Sequence, residues 1–296
     1  MERVSKQPMI CRLARRIWII LEMIKFEHTL FAMPFALIAM VVAANGFPTW
    51  NIIGWIIAAM VGARSAAMAF NRIADLEFDR LNPRTANRAL VTGIVSTAQT
   101  WIFTLVCIGL FTFASYKLNR LAYMLSPIAL FVILGYSFTK RFTAWSHIVL
   151  GFALAIAPSG AWIAVLGRLD LAPMILSASV VFWTAGFDII YSLQDVEFDR
   201  KIGLRSLPQT FGPNAALSIS RLMHALMAAA LVWFGQIAHL GAYYFAGCAV
   251  VALFLIYEHS IISPSNIKKV NSAFFTMNGF VSVGLFVFVL LDLFLR

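Results

Sequence analysis

Nine stretches of eighteen or more mostly apolar residues follow one another along this chain, at about 18–45, 50–70, 97–115, 120–138, 145–166, 171–190, 214–238, 241–258 and 272–294. At about 1.5 Å of rise per residue, each is long enough to cross the roughly 30 Å hydrocarbon layer of a bilayer as an α-helix, which satisfies its own backbone polar groups. The runs are continuous, whereas the strands of a membrane barrel would alternate apolar with polar residues. The expectation is an all-α, polytopic membrane protein: nine transmembrane helices in a single bundle, with a central cavity open to the cytoplasmic side. Of the 296 residues only 12% are charged, and a soluble domain carries roughly twice that fraction. The connections leave no room for a separate soluble domain, so residues 1–296 read as one unit.

The net charge of +10 invites a nucleic-acid reading, but topology accounts for it. With the N-terminus inside, seventeen of the 23 Lys and Arg residues fall on the inner side. They begin with Arg3, Lys6, Arg12, Arg15, Arg16 and Lys25 and end with Lys268 and Lys269. Lys117, Arg120, Arg168 and Arg296 fall outside, while Arg64 and Arg221 lie within spans. Such a bias orients a multi-pass protein with its N-terminus and active site on the cytoplasmic side; the expected location is the cell's inner (plasma) membrane. The basic start and the run from Thr29 to Ala44 resemble a signal peptide, but Lys25, Glu27 and His28 interrupt the approach and the run is long, favouring a retained first helix. Cys11, Cys107 and Cys248 form no paired motif, so neither a disulfide framework nor a zinc site is indicated.

The informative residues are the acids. The chain has thirteen Asp and Glu. Two short segments, Asn71-Arg-Ile-Ala-Asp75-Leu-Glu77-Phe-Asp79-Arg80 and Asp188 to Arg200, both contain D-x-E-F-D-R, offset by 120 residues. This is an internal repeat and predicts two related helical halves whose equivalent ends meet. On an ideal helix Asn71, Asp75 and Asp79 span an arc of about 80°, with Arg64 on the same face, and Asp188, Asp195 and Asp199 span about 40°. Glu77 and Glu197 point away in both halves. Two facing rows of carboxylates raise one another's pKa unless a cation separates them. Hard oxygen ligands, few in number, suit Mg²⁺, which completes its shell with waters and substrate phosphates. One such cluster reads equally well as loop salt bridges; two matching clusters on one side of a membrane point to a site. Cations stand beside them: Arg84 and Arg88 after the first row, Lys201 and Arg205 after the second, and Tyr136 with Lys140 at i, i+4 on one face of the fourth span. Each alone fits inner-side topology; together with metal-binding carboxylates they describe a diphosphate site.

These residues resemble the UbiA superfamily of intramembrane prenyltransferases. Asn71, Asp75 and Asp79 match the family's N-D-x-x-D-x-x-x-D, Asp195 and Asp199 its D-x-x-x-D with Asp188 the upstream acid, and Tyr136-Ser-Phe-Thr-Lys140 its Y-x-x-x-K. The departure is Arg72, where the family usually has Asp, which implies one fewer carboxylate for the metal or an extra diphosphate contact. The N-R-x-x-D form, Lys25-Phe-Glu-His28-Thr-Leu-Phe and Tyr257-Glu-His259-Ser are similar to a bacterial quinone-pathway branch, 4-hydroxybenzoate polyprenyltransferase-like. The resemblance implies a polyprenyl diphosphate donor and a small aromatic acceptor. Mg²⁺ would lie at Asn71, Asp75, Asp79, Asp195 and Asp199. The diphosphate would meet Asn71, Arg64, Arg84, Arg88, Tyr136, Lys140, Lys201 and Arg205. Asp188 would orient or deprotonate the acceptor hydroxyl, with Lys25 and His28 as polar contacts in the acceptor pocket. His147, His224 and His239 read as isolated, satisfied histidines. Alternatives are a naphthoate-type or other family acceptor and, from a different class, a membrane transporter, which would place its binding groups at the bilayer midplane.

Overall fold

The computed structural model describes residues 19–20, 22–23, 29–263 and 270–295. Lys25, His28, Cys11, the first basic residues and Lys268–Lys269 lie outside them. The order is α1 (Thr29–Ala44), α2 (Trp50–Ala74), α3 (Leu76–Leu81), α4 (Thr97–Leu118), α5 (Arg120–Gly135) with a 3₁₀ turn at Tyr136–Arg141, and α6 (Ser146–Leu166). Then come α7 (Leu171–Ser192), a 3₁₀ turn at Leu193–Asp195, α8 (Val196–Ile202), α9 (Leu207–Phe211), α10 (Pro213–Ile237), α11 (Ala242–Ile261) and α12 (Val270–Leu295). Among the described residues eight helices are long and apolar enough to cross a membrane; the described part of α1 has 16 residues. The protein is an all-helical, multi-pass membrane protein.

Burial ranks the helices. The window along α7 has 67% of its residues buried and that along α4 only 22%, so α7 is the hub and α4 a peripheral helix whose outward side chains face lipid. Trp183 of α7 is fully buried against Phe35 of α1 and Phe187, with ring centroids 4.9 and 5.0 Å apart. Lipid supplies little driving force for helix association, so close backbone approach and dispersion do the work. Gly62 lets α2 meet α4, since a Cβ there would stand 2.9 Å from the Phe111 nitrogen, and Gly151 lets α6 meet α7, since a Cβ there would stand 2.6 Å from the Val181 carbonyl oxygen. Polar residues tie the end away from the acidic motifs. Asn119 caps α5 by accepting from the Ala122 N–H at 2.9 Å while its amide donates to the Ile163 carbonyl at 2.7 Å. Asp292 accepts from the Gly241 N–H at 2.6 Å.

The two acidic motifs do not continue their helices. The first helix stops at Asp75 (φ −94°, ψ 5°), the second passes through a 3₁₀ turn that ends on Asp195 (φ −106°, ψ 4°), and a short helix then starts in each. Aspartate competes with the helix for backbone hydrogen bonds, which makes it a natural place for such a break. The straight-helix arcs of the sequence analysis therefore span a joint in each half. The facing pattern survives it: Asp79, Asp195 and Asp199 are buried and Glu77 and Glu197 exposed.

Candidate active site

The ends of α2, α5, α6 and α7 surround a cavity of about 1050 Å³. Its wall includes Arg64, Asn71, Asp75, Asp79, Arg84, Arg88, Tyr136, Lys140, Asp188, Asp195 and Asp199, so the structure brings together both acidic motifs and the cations of three segments. Tyr136 and Lys140 line it from a 3₁₀ turn, not from an α-helical face. At about 120° per residue that turn does not stack i on i+4.

The halves are joined across the cavity. Arg84 grips Asp195 with two bonds, Nε to Oδ1 at 3.0 Å and Nη2 to Oδ2 at 2.6 Å, and donates from Nη1 to the Tyr191 hydroxyl at 3.0 Å. Asn82 holds this in place: its Oδ1 accepts the Arg84 backbone N–H at 2.9 Å, and its amide lies 3.5 Å from Asp195 Oδ1. Pro83 after Asn82 directs the chain away from helix, which carries the arginine back across the site. Arg88 pairs with Asp79 at 2.5 Å, and Asn71 donates to Asp75 Oδ2 at 2.9 Å and toward Ser137 Oγ at 3.4 Å. Burial, followed by the nearby Asp79 charge, holds the Asp75 carboxyl above the usual carboxylate range. For Arg84, burial works to lower its pKa, but Asp195 and Tyr191 more than offset this and raise it above its ordinary value.

Other cations in the wall lack such partners; Arg72 and Arg141 donate to the backbone carbonyls of Met23 and Ala74. Arg64 and Lys140 form no ion pair with a carboxylate among the described residues, and the Arg64 Nε is buried with no hydrogen-bond partner there. Lys140 lies within Coulombic reach of Asp188, Asp199, Asp195 and Asp75. On the acidic side, Asp199 Oδ2 is likewise buried without a partner. No three Asp, Glu, His or Cys side chains converge on one point among the described residues, so the wall is not a closed all-protein metal cage.

Arg64, Tyr136 and Leu154 also border a second space, an apolar slot of about 640 Å³ between α2, α5, α6 and α7. Small residues such as Ala63, Ala129, Ala157 and Gly160 line it, and Ile128, Phe152 and Met174, each more than half exposed, border it where the bundle faces lipid.

Some expected site residues lie elsewhere. Lys201 is exposed on α8 and outside the cavity wall. It follows Asp199 by two residues, which turns it to the opposite side of a helix. Arg205 is also outside; its backbone N–H donates to the Lys140 carbonyl at 2.8 Å and its Nη1 to the Phe142 carbonyl at 3.0 Å, which braces the turn carrying Lys140. Arg72 does border the cavity, but its Nε donates to the Met23 backbone carbonyl at 3.3 Å. His147 and His224 are not isolated. His147 Nδ1 is 2.7 Å from Asp188 Oδ2, and His224 Nδ1 is 3.0 Å from His259 Nε2. Asn82 and Tyr191 escaped the sequence reading, in which His147 reads as isolated. Tyr191 carried a signal, standing three residues after Asp188 and four before Asp195 on one helical face; the others depend on long-range contacts.

A site of mixed charge beside an apolar slot, inside a membrane bundle, defines a class of protein built for an amphiphile with an anionic head. The UbiA prenyltransferase family model matches residues 32–280. The chain is 34% identical over 228 residues to a 4-hydroxybenzoate octaprenyltransferase of Burkholderia pseudomallei (strain 668), covering 76% of this chain and 78% of that one. It is 32% identical over 224 residues to the protein of the same name in Paraburkholderia phytofirmans, with the same coverage. Among solved structures, a UbiA homolog from Aeropyrum pernix K1 superposes with a TM-score of 0.82 at 35% identity, covering 90% of this chain and 98% of that one. A UbiA homolog from Archaeoglobus fulgidus bound to GPP and Mg²⁺ shares the fold, with a TM-score of 0.70 at 18% identity over 92% of this chain and 99% of that one. The chain belongs to the UbiA prenyltransferase family, and it is a prenyltransferase. Family membership sets the transporter alternative aside.

Proposed function

We propose that this protein transfers a polyprenyl group from polyprenyl diphosphate to 4-hydroxybenzoate in quinone (ubiquinone or menaquinone) biosynthesis, with Mg²⁺ as cofactor. One observation carries the reading: the polar cavity holding both acidic motifs shares Arg64 and Tyr136 with an apolar slot, which suits a diphosphate head and an isoprenoid tail of one molecule. The curated relatives' names support 4-hydroxybenzoate as acceptor, with a naphthoate-type precursor as the alternative.

The residues fit magnesium. Mg²⁺ is bound through one or two carboxylates per ion with substrate phosphates completing its shell, so a wall without a three-acid cluster suits it, and the unpartnered Asp199 Oδ2 is a donor of the right kind. Asp75 and Asp79 with Asn71 on one side, and Asp195 and Asp199 on the other, would hold it; when bound it neutralises diphosphate charge as that group departs. Arg64 and Lys140, with no carboxylate partner among the described residues, bind the head directly. Arg84 and Arg88 contribute donors of a shape suited to phosphate oxygens. The allylic C–O bond breaks with its electron pair leaving on the diphosphate, and these fixed charges stabilise that separation without reorganising. The acceptor ring carbon ortho to the hydroxyl forms the new C–C bond and gives up its proton to water or the released diphosphate, which restores the aromatic ring. Asp188 accepts a hydrogen bond from the acceptor hydroxyl and orients the ring. The whole chain works as one unit of nine spans, in the inner membrane, with cavity and N-terminus cytoplasmic; the charge bias supports that orientation.

The test is product mass after incubating the purified protein with polyprenyl diphosphate and 4-hydroxybenzoate, and separately with a dihydroxynaphthoate, with and without EDTA. Prenylated hydroxybenzoate that disappears with EDTA is expected, and Asp75→Ala and Asp195→Ala should each lower transfer by at least roughly 100-fold. Near-normal transfer by both variants would reject this site.

A further inference from the structure

Asp188 is held from behind by a group that no part of the diphosphate chemistry uses. His147, the second residue of α6, is fully buried. Its Nδ1 lies 2.7 Å from Asp188 Oδ2, and its Nε2 accepts the backbone N–H of Leu207 at 3.3 Å. The second contact settles the first. Because Nε2 receives an N–H, its lone pair faces the Leu207 amide, and the ring hydrogen sits on Nδ1, aimed at Asp188. A backbone amide cannot pass a proton onward, so the imidazole is a fixed donor rather than a relay toward solvent. His147 does not border the cavity, whereas Asp188 does, with 20% of its side chain exposed and one oxygen committed to the imidazole.

We propose that His147 is a positioning residue for acceptor use: the Leu207 N–H sets its ring hydrogen on Nδ1, and that hydrogen fixes the Asp188 carboxylate so that it accepts the acceptor's phenolic O–H. This rests on the reading of Asp188 given above. The geometry favours orientation over mere packing, since an apolar side chain would fill the space equally well but leave Asp188 Oδ2 without its donor. Three segments meet at the ring, namely α6, α7 and the start of α9, so the rotamer of Asp188 is tied to the frame of the bundle.

The test separates the acceptor from the donor. His147→Leu removes the donor, while His147→Asn keeps an amide N–H near the position of Nδ1. In the purified full chain, kcat and KM are measured for each substrate, together with prenyl diphosphate hydrolysis without acceptor and thermal unfolding in detergent. For His147→Leu, kcat/KM for 4-hydroxybenzoate should fall roughly 10- to 100-fold, the scale of one hydrogen bond to a charged group. The KM for prenyl diphosphate and the hydrolysis rate should stay within about threefold, and His147→Asn should recover most of the loss. Unchanged acceptor kinetics in His147→Leu would overturn the proposal. So would an equal loss of hydrolysis and acceptor use with lowered thermal stability in both variants, which would make the residue structural. Asp188→Asn separates the premise: if it keeps normal acceptor kinetics, the role given to Asp188 fails; if it is impaired while both His147 variants are normal, only the role of His147 fails.

Discussion

Arg84 shows how little a charge count says about a single side chain. It is one of 23 Lys and Arg residues, yet it makes two bonds to Asp195 from 111 residues away. A fork of this shape is specific for a carboxylate or a phosphate, and ligand binding offers it the choice of either. Arg84→Gln should therefore raise the KM for prenyl diphosphate by roughly tenfold or more, measured by initial rates at saturating acceptor. Glu197→Gln, two residues from Asp195 but exposed, should change neither kinetic constant by more than about twofold. The outward direction of Glu77 and Glu197 was legible from helical spacing alone. The partners of Asp195 were not, because Arg84 and Asn82 reach it through tertiary contacts. At Arg72, where the family usually has Asp, the guanidinium donates to the Met23 carbonyl, a contact that no local pattern announces.

At the level of the helix, the repeated break on the first Asp of each motif is the main addition to the sequence reading. The spacing of apolar residues located the spans to within a few residues, and α2, α4 to α7, α10 and α11 all lie where the runs predict. That spacing carries no sign of the joint, because Asp75 still closes an i to i+4 bond from its N–H to the Asn71 carbonyl at 2.9 Å and the pattern of apolar residues runs through it. Helix pairing was also illegible. It depends on which small residue faces which backbone, as with Gly151, where an added Cβ would press on Val181. Gly151→Val should destabilise the bundle by about 1–3 kcal/mol through overpacking, visible as a lower midpoint of thermal unfolding in detergent. Gly160, which has open space around its Cβ position, is the control and should tolerate alanine.

For the molecule as a whole, the proposed function has the polar cavity and the apolar slot divide the substrate between two solvents. One compartment competes with water for a diphosphate, and the other competes with lipid for a hydrocarbon chain. Ala157→Phe, which sets a ring into the slot, should lower kcat/KM for octaprenyl diphosphate at least roughly tenfold while changing that for geranyl diphosphate by under about threefold, read from paired kinetics on the two donors. The slot ends among Ile128, Phe152 and Met174, side chains more than half exposed on the outer face of the bundle. A ruler without an end stop measures nothing beyond its last mark. On the proposed function, isoprene units past that rim would lie among acyl chains, where every additional unit costs the same whether or not the enzyme is present. If the slot holds the tail as proposed, substitutions along it would remove long donors from the accepted set, but none would make the protein insist on one length.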